Sequence, residues 1–154
     1  HFLFKTHPRS GFTAQEVGRW LGRQHHRSTY EIASGSVYAH LQEVDVVLAT
    51  YSSVGMEAVT QGKPVICLQL PNVVNTTPLL DVEAPGVLMA TNGQQLEWAL
   101  EKATSIESWG HGGGNEKAVE YFFGSLDNKV EQRWAKAIAD VMAGQNSVVP
   151  KGQQ

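Results

Sequence analysis

The chain has 154 residues, 42% of them hydrophobic and 18% charged, with a formal net charge of −3 at pH 7. That length holds one domain with a real core, and the acid excess argues against general nucleic-acid binding, which favours a basic surface. No stretch reaches the roughly 18 apolar residues of a membrane span, no signal peptide is visible, and Cys67 stands alone, so there is no disulfide framework.

The chain opens at His1 directly on Phe2-Leu3-Phe4-Lys5, a strand with no lead-in, as a piece of a longer protein would. The turn Thr6-His7-Pro8-Arg9-Ser10-Gly11 follows. Thr13 can cap a helix over Ala14–Gln24, with Val17, Trp20 and Leu21 on one stripe. Ser28–Ala33 reads as a weaker strand broken by Ser34-Gly35, and Ser36 can cap a short helix carrying Val37, Leu41 and Val44. Asp45–Ala49 is a near-continuous apolar run rich in valine, the pattern of a parallel strand covered on both faces. A short helix headed by Ser52-Ser53 and stopped by Gly62-Lys63-Pro64 leads to the strand Pro64–Leu70.

Pro71–Pro85 reads as a polar loop laid over one face of the sheet, and Gly86–Thr91 as a fifth strand. Asn92 can cap a helix over Gln94–Ser105 with Leu96, Ala99, Leu100 and Ala103 inward. Trp109–Asn115 is a glycine-rich loop, and Asn128–Ala143 is the strongest helix, with Val130, Trp134, Ala137, Ile138 and Val141 on one face. From Gln145 the chain reads as a frayed tail, so the domain spans 1–144 and the tail 145–154. Strands alternating with helices predict an α/β domain, Rossmann-like and doubly wound, around a mainly parallel sheet.

Ligands of such sheets bind beyond the carboxyl ends of the strands, and two polar clusters fall there. Lys5, His7 and Arg9 place cationic or cationisable groups on one loop stiffened by Pro8, and His7 can donate to a phosphate or act as general acid on a leaving one. Ser52 and Ser53 mark a helix N-terminus, whose free N–H groups and positive dipole suit an anion. Gly55 would let a ligand approach the first turn. Glu57 lies four residues after Ser53, one longer than a capping box requires, so its carboxylate stands about one 5.4 Å turn further along the same face. A hydroxyl pair with that carboxylate could hold the phosphate and ribose diol of a nucleotide. The alternatives are a solvated basic turn and an ordinary capped helix.

His25-His26 diverge at a helix end and lack a third metal ligand. His111-Gly112-Gly113-Gly114 has no G-x-S-x-G elbow to serve, and neither a Walker A nor a G-x-G-x-x-G motif occurs. Trp20, Trp98, Trp109 and Trp134 read as core or interdomain packing, and Cys67 as a buried thiol.

Lys5-Thr6-His7-Pro8, the run from Asp45 through Thr50-Tyr51-Ser52-Ser53-Val54-Gly55-Met56-Glu57-Ala58, and Gly62-Lys63-Pro64-Val65 resemble the C-terminal half of GT-B glycosyltransferases. The resemblance is to bacterial capsule and lipopolysaccharide enzymes, both the sialyltransferase-like group and the CDP-glycerol glycerophosphotransferase-like group. Phe123-Gly124-Ser125-Leu126-Asp127-Asn128-Lys129 and Arg133 resemble the segment before their closing helix, so the likeness spans about residues 2–142.

It implies that His7 contacts the donor phosphate and helps the nucleotide leave, with Lys5, Pro8 and Arg9 beside it. Ser52 and Ser53 would hold phosphate, Glu57 the ribose hydroxyls, and the backbone near Ile32 and Ala33 the base. The implied substrate is a CMP-, CDP- or UDP-linked donor, with no further cofactor and no metal ligand. The acceptor glycan and the catalytic base belong, on this resemblance, to an N-terminal half. The implied setting is the cytoplasm, including the inner face of the membrane, where peripheral association is common to such enzymes. A UDP-sugar 2-epimerase shares the strand–serine–glycine–glutamate–proline layout, and a non-catalytic nucleotide-binding scaffold is the third reading.

Overall fold

The computed structural model describes residues 1–7, 11–22, 29–50, 52–74, 76–81, 83–105, 115–124 and 127–144. Five short strands alternate with helices: β1 (Phe2–Phe4), α1 (Ala14–Gly22), β2 (Tyr30–Ile32), α2 (Val37–Glu43), β3 (Val47–Ala49), α3 (Val54–Thr60), β4 (Val65–Leu68) and β5 (Val87–Ala90). Among the described residues three helices follow: α4 (Gly93–Ser105), α5 (Glu116–Phe123) and α6 (Val130–Met142). The class is α/β, and every strand pairing among the described residues is parallel. They form two small sheets, β1-β2 and β3-β4-β5, in registers that pair Phe4 with Ile32, Ala49 with Cys67, and Leu68 with Ala90.

The strand covered on both faces is β4; β3, where such cover was expected, leaves Leu48 exposed. Because side chains alternate across a strand, Val47, Ala49, Val65 and Cys67 pack with Ala58 and Val59 of α3 and with Ala118 of α5. Ile66, Leu88 and Ala90 face the other way, against Ala99 and Ala103 of α4. Val65, Ile66 and Cys67 are fully buried, so β4 is the centre of the core. The Pro71–Pro85 loop does lie over one face: a 3-10 turn at Pro78–Asp81 seats Leu79 in the α3 cluster.

The helix ends follow local chemistry. Thr13 and Glu16 form a reciprocal capping box at α1, the Glu16 carboxylate accepting from Thr13 N–H at 2.8 Å and Thr13 Oγ1 accepting from Glu16 N–H at 3.2 Å. The Thr13 N–H and then the Thr13 hydroxyl, both donating to it, hold the Glu16 carboxyl below its ordinary value. Asn92 caps α4 through Gln95 N–H at 3.0 Å. The Gly-Lys-Pro stop is a Schellman ending: Gly62 adopts φ +70°, its N–H donates to Val59 O, and Lys63 N–H donates to Ala58 O. Ser36, expected to cap α2, makes no side-chain cap bond.

Other expectations need correction. The strands are shorter at their ends than the apolar runs suggested, because Lys5, Asp45 and the ends of Pro64–Leu70 lie outside the ladders. A helix not anticipated, α5, follows Asn115; its signal was Ala118, Val119 and Phe122 at helical spacing, obscured by the run Tyr121-Phe122-Phe123. Trp20, Trp98 and Trp134 are exposed rather than core, and Lys102 Nζ lies over the Trp98 ring at 5.0 Å. The α6 stripe exists, but the helix contains no buried residue. His25, His26, Trp109, the His111-Gly114 loop and the 145–154 tail lie outside the described residues.

Candidate nucleotide site at the carboxyl ends of the strands

The sequence-predicted residues sit at strand carboxyl ends, in two groups. Lys5 and His7 follow β1. Ile32 ends β2 opposite Phe4, and Ala33 N–H donates to Phe4 O at 2.8 Å, so the exits of these two strands run side by side. Ser52, Ser53, Gly55 and Glu57 follow β3. Among the described residues no strand pairing joins the two groups. Pro8 and Arg9 lie outside the described residues.

The α3 entrance differs from the expected cluster of free N–H groups. Val54 N–H donates to Ser52 Oγ at 3.3 Å, Gly55 N–H to Ser52 O at 3.2 Å, and Met56 and Glu57 N–H to Ser53 O at 2.9 and 3.2 Å. The first turn closes on itself, so the donors of this seven-residue helix are already spent. Capping falls to Ser52, one position earlier than the nominal cap. Ser53 is in a helical conformation and makes no side-chain cap bond. Its exposed hydroxyl is therefore the one available to a ligand.

Glu57 is exposed on the same helical face, and among the described residues its carboxylate has no hydrogen-bond or ion-pair partner. Lys5 is likewise exposed and unpaired among the described residues. Gly55 has a packing explanation instead of a ligand-approach one. It is buried, and a Cβ there would meet Leu79 Cδ1 at 2.7 Å and Val65 Cγ1 at 3.4 Å. The missing side chain makes room for the loop leucine, a contact between distant segments that no local motif announces.

Beneath this edge, Cys67 is buried at the centre of the sheet, and burial pushes its thiol up to about 11. At pH 8 about one molecule in a thousand would carry the thiolate, and that sulfur is occluded. Native protein should therefore resist maleimide labelling at pH 8 and react stoichiometrically once unfolded in guanidinium; mass spectrometry reads both. Rapid labelling of the folded chain would contradict the burial.

Among the described residues no group of three His, Cys, Asp or Glu side chains could hold a metal ion, and no helix is long and apolar enough to cross a membrane. Compared with protein-family models, curated proteins and solved structures, the chain matches none.

Proposed function

We propose that the chain is the donor-nucleotide-binding half of a GT-B glycosyltransferase, moving a sugar or polyol phosphate from a nucleotide donor to a cell-envelope glycan. The carrying observation is the pairing of a Ser53 hydroxyl and a Glu57 carboxylate, both without a partner among the described residues, on one exposed face of α3 beyond the carboxyl end of a parallel strand. A hydroxyl donates to a phosphate oxygen, and a carboxylate accepts from a ribose diol. In this reading β1 lies beside β3, joining the sheets in the doubly wound order β2-β1-β3-β4-β5. Strand order then reverses between β1 and β3, the switch point where such sheets bind ligands. Lys5 and His7 face Ser53 across that crevice. Lys5 offers charge to the phosphates, and His7 stabilises the negative charge gathering on the departing nucleotide.

Because the α3 N–H groups are satisfied internally, phosphate recognition rests on side chains, which makes it sensitive to single substitutions. Isothermal calorimetry with CMP, CDP, UDP and GDP should find binding to at least one. Ser53→Ala should weaken it about tenfold, the worth of one hydrogen bond to a charged group, while leaving the melting temperature unchanged. Ser52→Ala should instead lower stability by about 1 kcal/mol through the lost cap. No binding to any of the four nucleotides at millimolar concentration would sink the proposal.

A further inference from the structure

β5 ends the three-stranded sheet, and one side of its backbone is unpaired among the described residues. Val65 N–H donates to Gly86 O and Gln69 N–H to Ala90 O, so Gly86, Leu88 and Ala90 bond toward β4 while Val87 and Met89 bond outward. The Val87 N–H is taken by Ala84 O at 2.9 Å, which leaves the Val87 carbonyl and both polar groups of Met89 for an added chain. A parallel strand reaches Val87 C=O and Met89 N–H with the residue opposite Leu88. An antiparallel one reaches both Met89 groups with the residue opposite Met89.

Beside this edge runs a cleft of about 630 Å³. Side chains alternate across a strand, so Val87 and Met89 share a face and both line it, together with Leu80 of the 3-10 turn. Leu80 and Met89 keep 40% and 49% of their surface exposed, so among the described residues nothing covers them. Charge gathers at one end. Glu83 lies three residues before Gly86, and Glu116 follows Asn115, whose Oδ1 accepts from Gly86 N–H at 3.2 Å. Both carboxylates line the cleft with the Lys117 ammonium, and none of the three has a partner among the described residues. Two acids against one base leave the start of β5 negative.

We infer that the outer edge of β5 docks an extended segment of a partner protein, with apolar residues opposite Val87 and Met89 and a cationic residue at the next cleft-facing position, beside Glu83 and Glu116. Main-chain bonds to the edge supply affinity, and the alternate side chains in the cleft supply selectivity. The cation distinguishes this occupant from a second copy. The same edge of another chain presents Pro85, Val87, Met89 and Thr91 at those positions and brings no positive charge. The surface is separate from the nucleotide site, since β4 lies between β5 and the strand that Ser53 follows.

The test is NMR on the full chain with the acetylated, amidated peptide Lys-Thr-Val-Thr-Val-Thr-Lys, which offers a lysine to the acidic end whichever way it runs. In millimolar excess it should shift the Met89 amide signal and slow its hydrogen exchange by about tenfold. Exchanging both lysines for glutamate should weaken binding about fivefold, and Glu83→Lys with Glu116→Lys in the protein should reverse that order. Two further peptides are N-methylated, one on its threonine amides and the other on its valine amides. A parallel strand loses about tenfold with the first, and an antiparallel strand with the second. No response at Met89, or equal affinity for the parent and both methylated peptides, overturns the inference. Slow Met89 exchange in the peptide-free chain also overturns it: a doubled mass in ultracentrifugation gives the edge to a second copy, and a single mass gives it to the chain itself.

Discussion

Leu79→Ala should lower the free energy of unfolding by about 2–5 kcal/mol, the range for truncating a fully buried leucine. The residue sits in a 3-10 turn within a loop otherwise largely exposed, yet its side chain is fully buried among Val47, Ala49, Ala58 and Val65. Its Cδ1 occupies the space that a Cβ on Gly55 would need, 2.7 Å away. Gly55→Ala alone should therefore cost about 1–3 kcal/mol by overpacking, against a background gain for replacing a helical glycine of less than that.

The two changes should not add. In the Leu79→Ala background the new methyl at position 55 enters the vacated space, with Val65 Cγ1 at 3.4 Å and Ala49 Cβ at 3.7 Å as ordinary or near-ordinary contacts. A double-mutant cycle in guanidinium should give a favourable coupling of about 1 kcal/mol or more. Additivity within about 0.5 kcal/mol would mean that the loop does not seat on α3. The result also bears on the candidate site, because the turn that Leu79 clamps carries Ser53 and Glu57.

Much of this packing could be read in advance, and some could not. The continuous apolar run Val65-Ile66-Cys67-Leu68 specified a strand buried on both faces, whereas the similar run before Ala49 leaves Leu48 exposed, because cover on each face is set by distant elements and not by the run itself. The Thr13 and Asn92 caps and the Gly62 stop were legible because each is settled within four residues of chain. The N–H count at α3 was not. Whether a serine-headed turn keeps its donors free depends on how tightly the chain closes, and here Ser52 and Ser53 consume all four donors from Val54 to Glu57. The packing role of Gly55 was hidden for the opposite reason, since its partner Leu79 lies 24 residues away in a loop with no periodicity. Lys5, Ser53 and Glu57 were chosen by position relative to strand ends, and the structure has them there as exposed side chains because that part of the reasoning depends on topology alone.

The exchange rates of two amides should decide whether the two sheets act as one. In a parallel ladder, alternate residues of a strand bond to the same neighbour. Val47 N–H donates to Pro64 O and Phe2 N–H to Thr29 O, so Val47 and Ala49 face β4 while Phe2 and Phe4 face β2. The N–H groups of Leu48 and Leu3 therefore point to the opposite edges of β3 and β1. If β1 lies beside β3, both fall inside a continuous ladder. Hydrogen exchange followed by NMR should then find Leu3 and Leu48 protected by about a hundredfold or more relative to an open edge. Met89, turned from β4 toward the outer edge of β5, supplies that open-edge reference. Slow exchange at Leu48 and Ile32 with fast exchange at Leu3 would place β2 against β3 instead, parting Lys5 and His7 from Ser53 by a further strand. Fast exchange at both leucines would leave two separate sheets and remove the crevice on which the His7 role depends. Protection at both leucines would put the strand that Lys5 and His7 follow next to the strand that Ser52 and Ser53 follow, the two strands about 4.8 Å apart. At that spacing a single phosphate can meet the Ser53 hydroxyl and the His7 imidazole together, and the leaving group has its two walls.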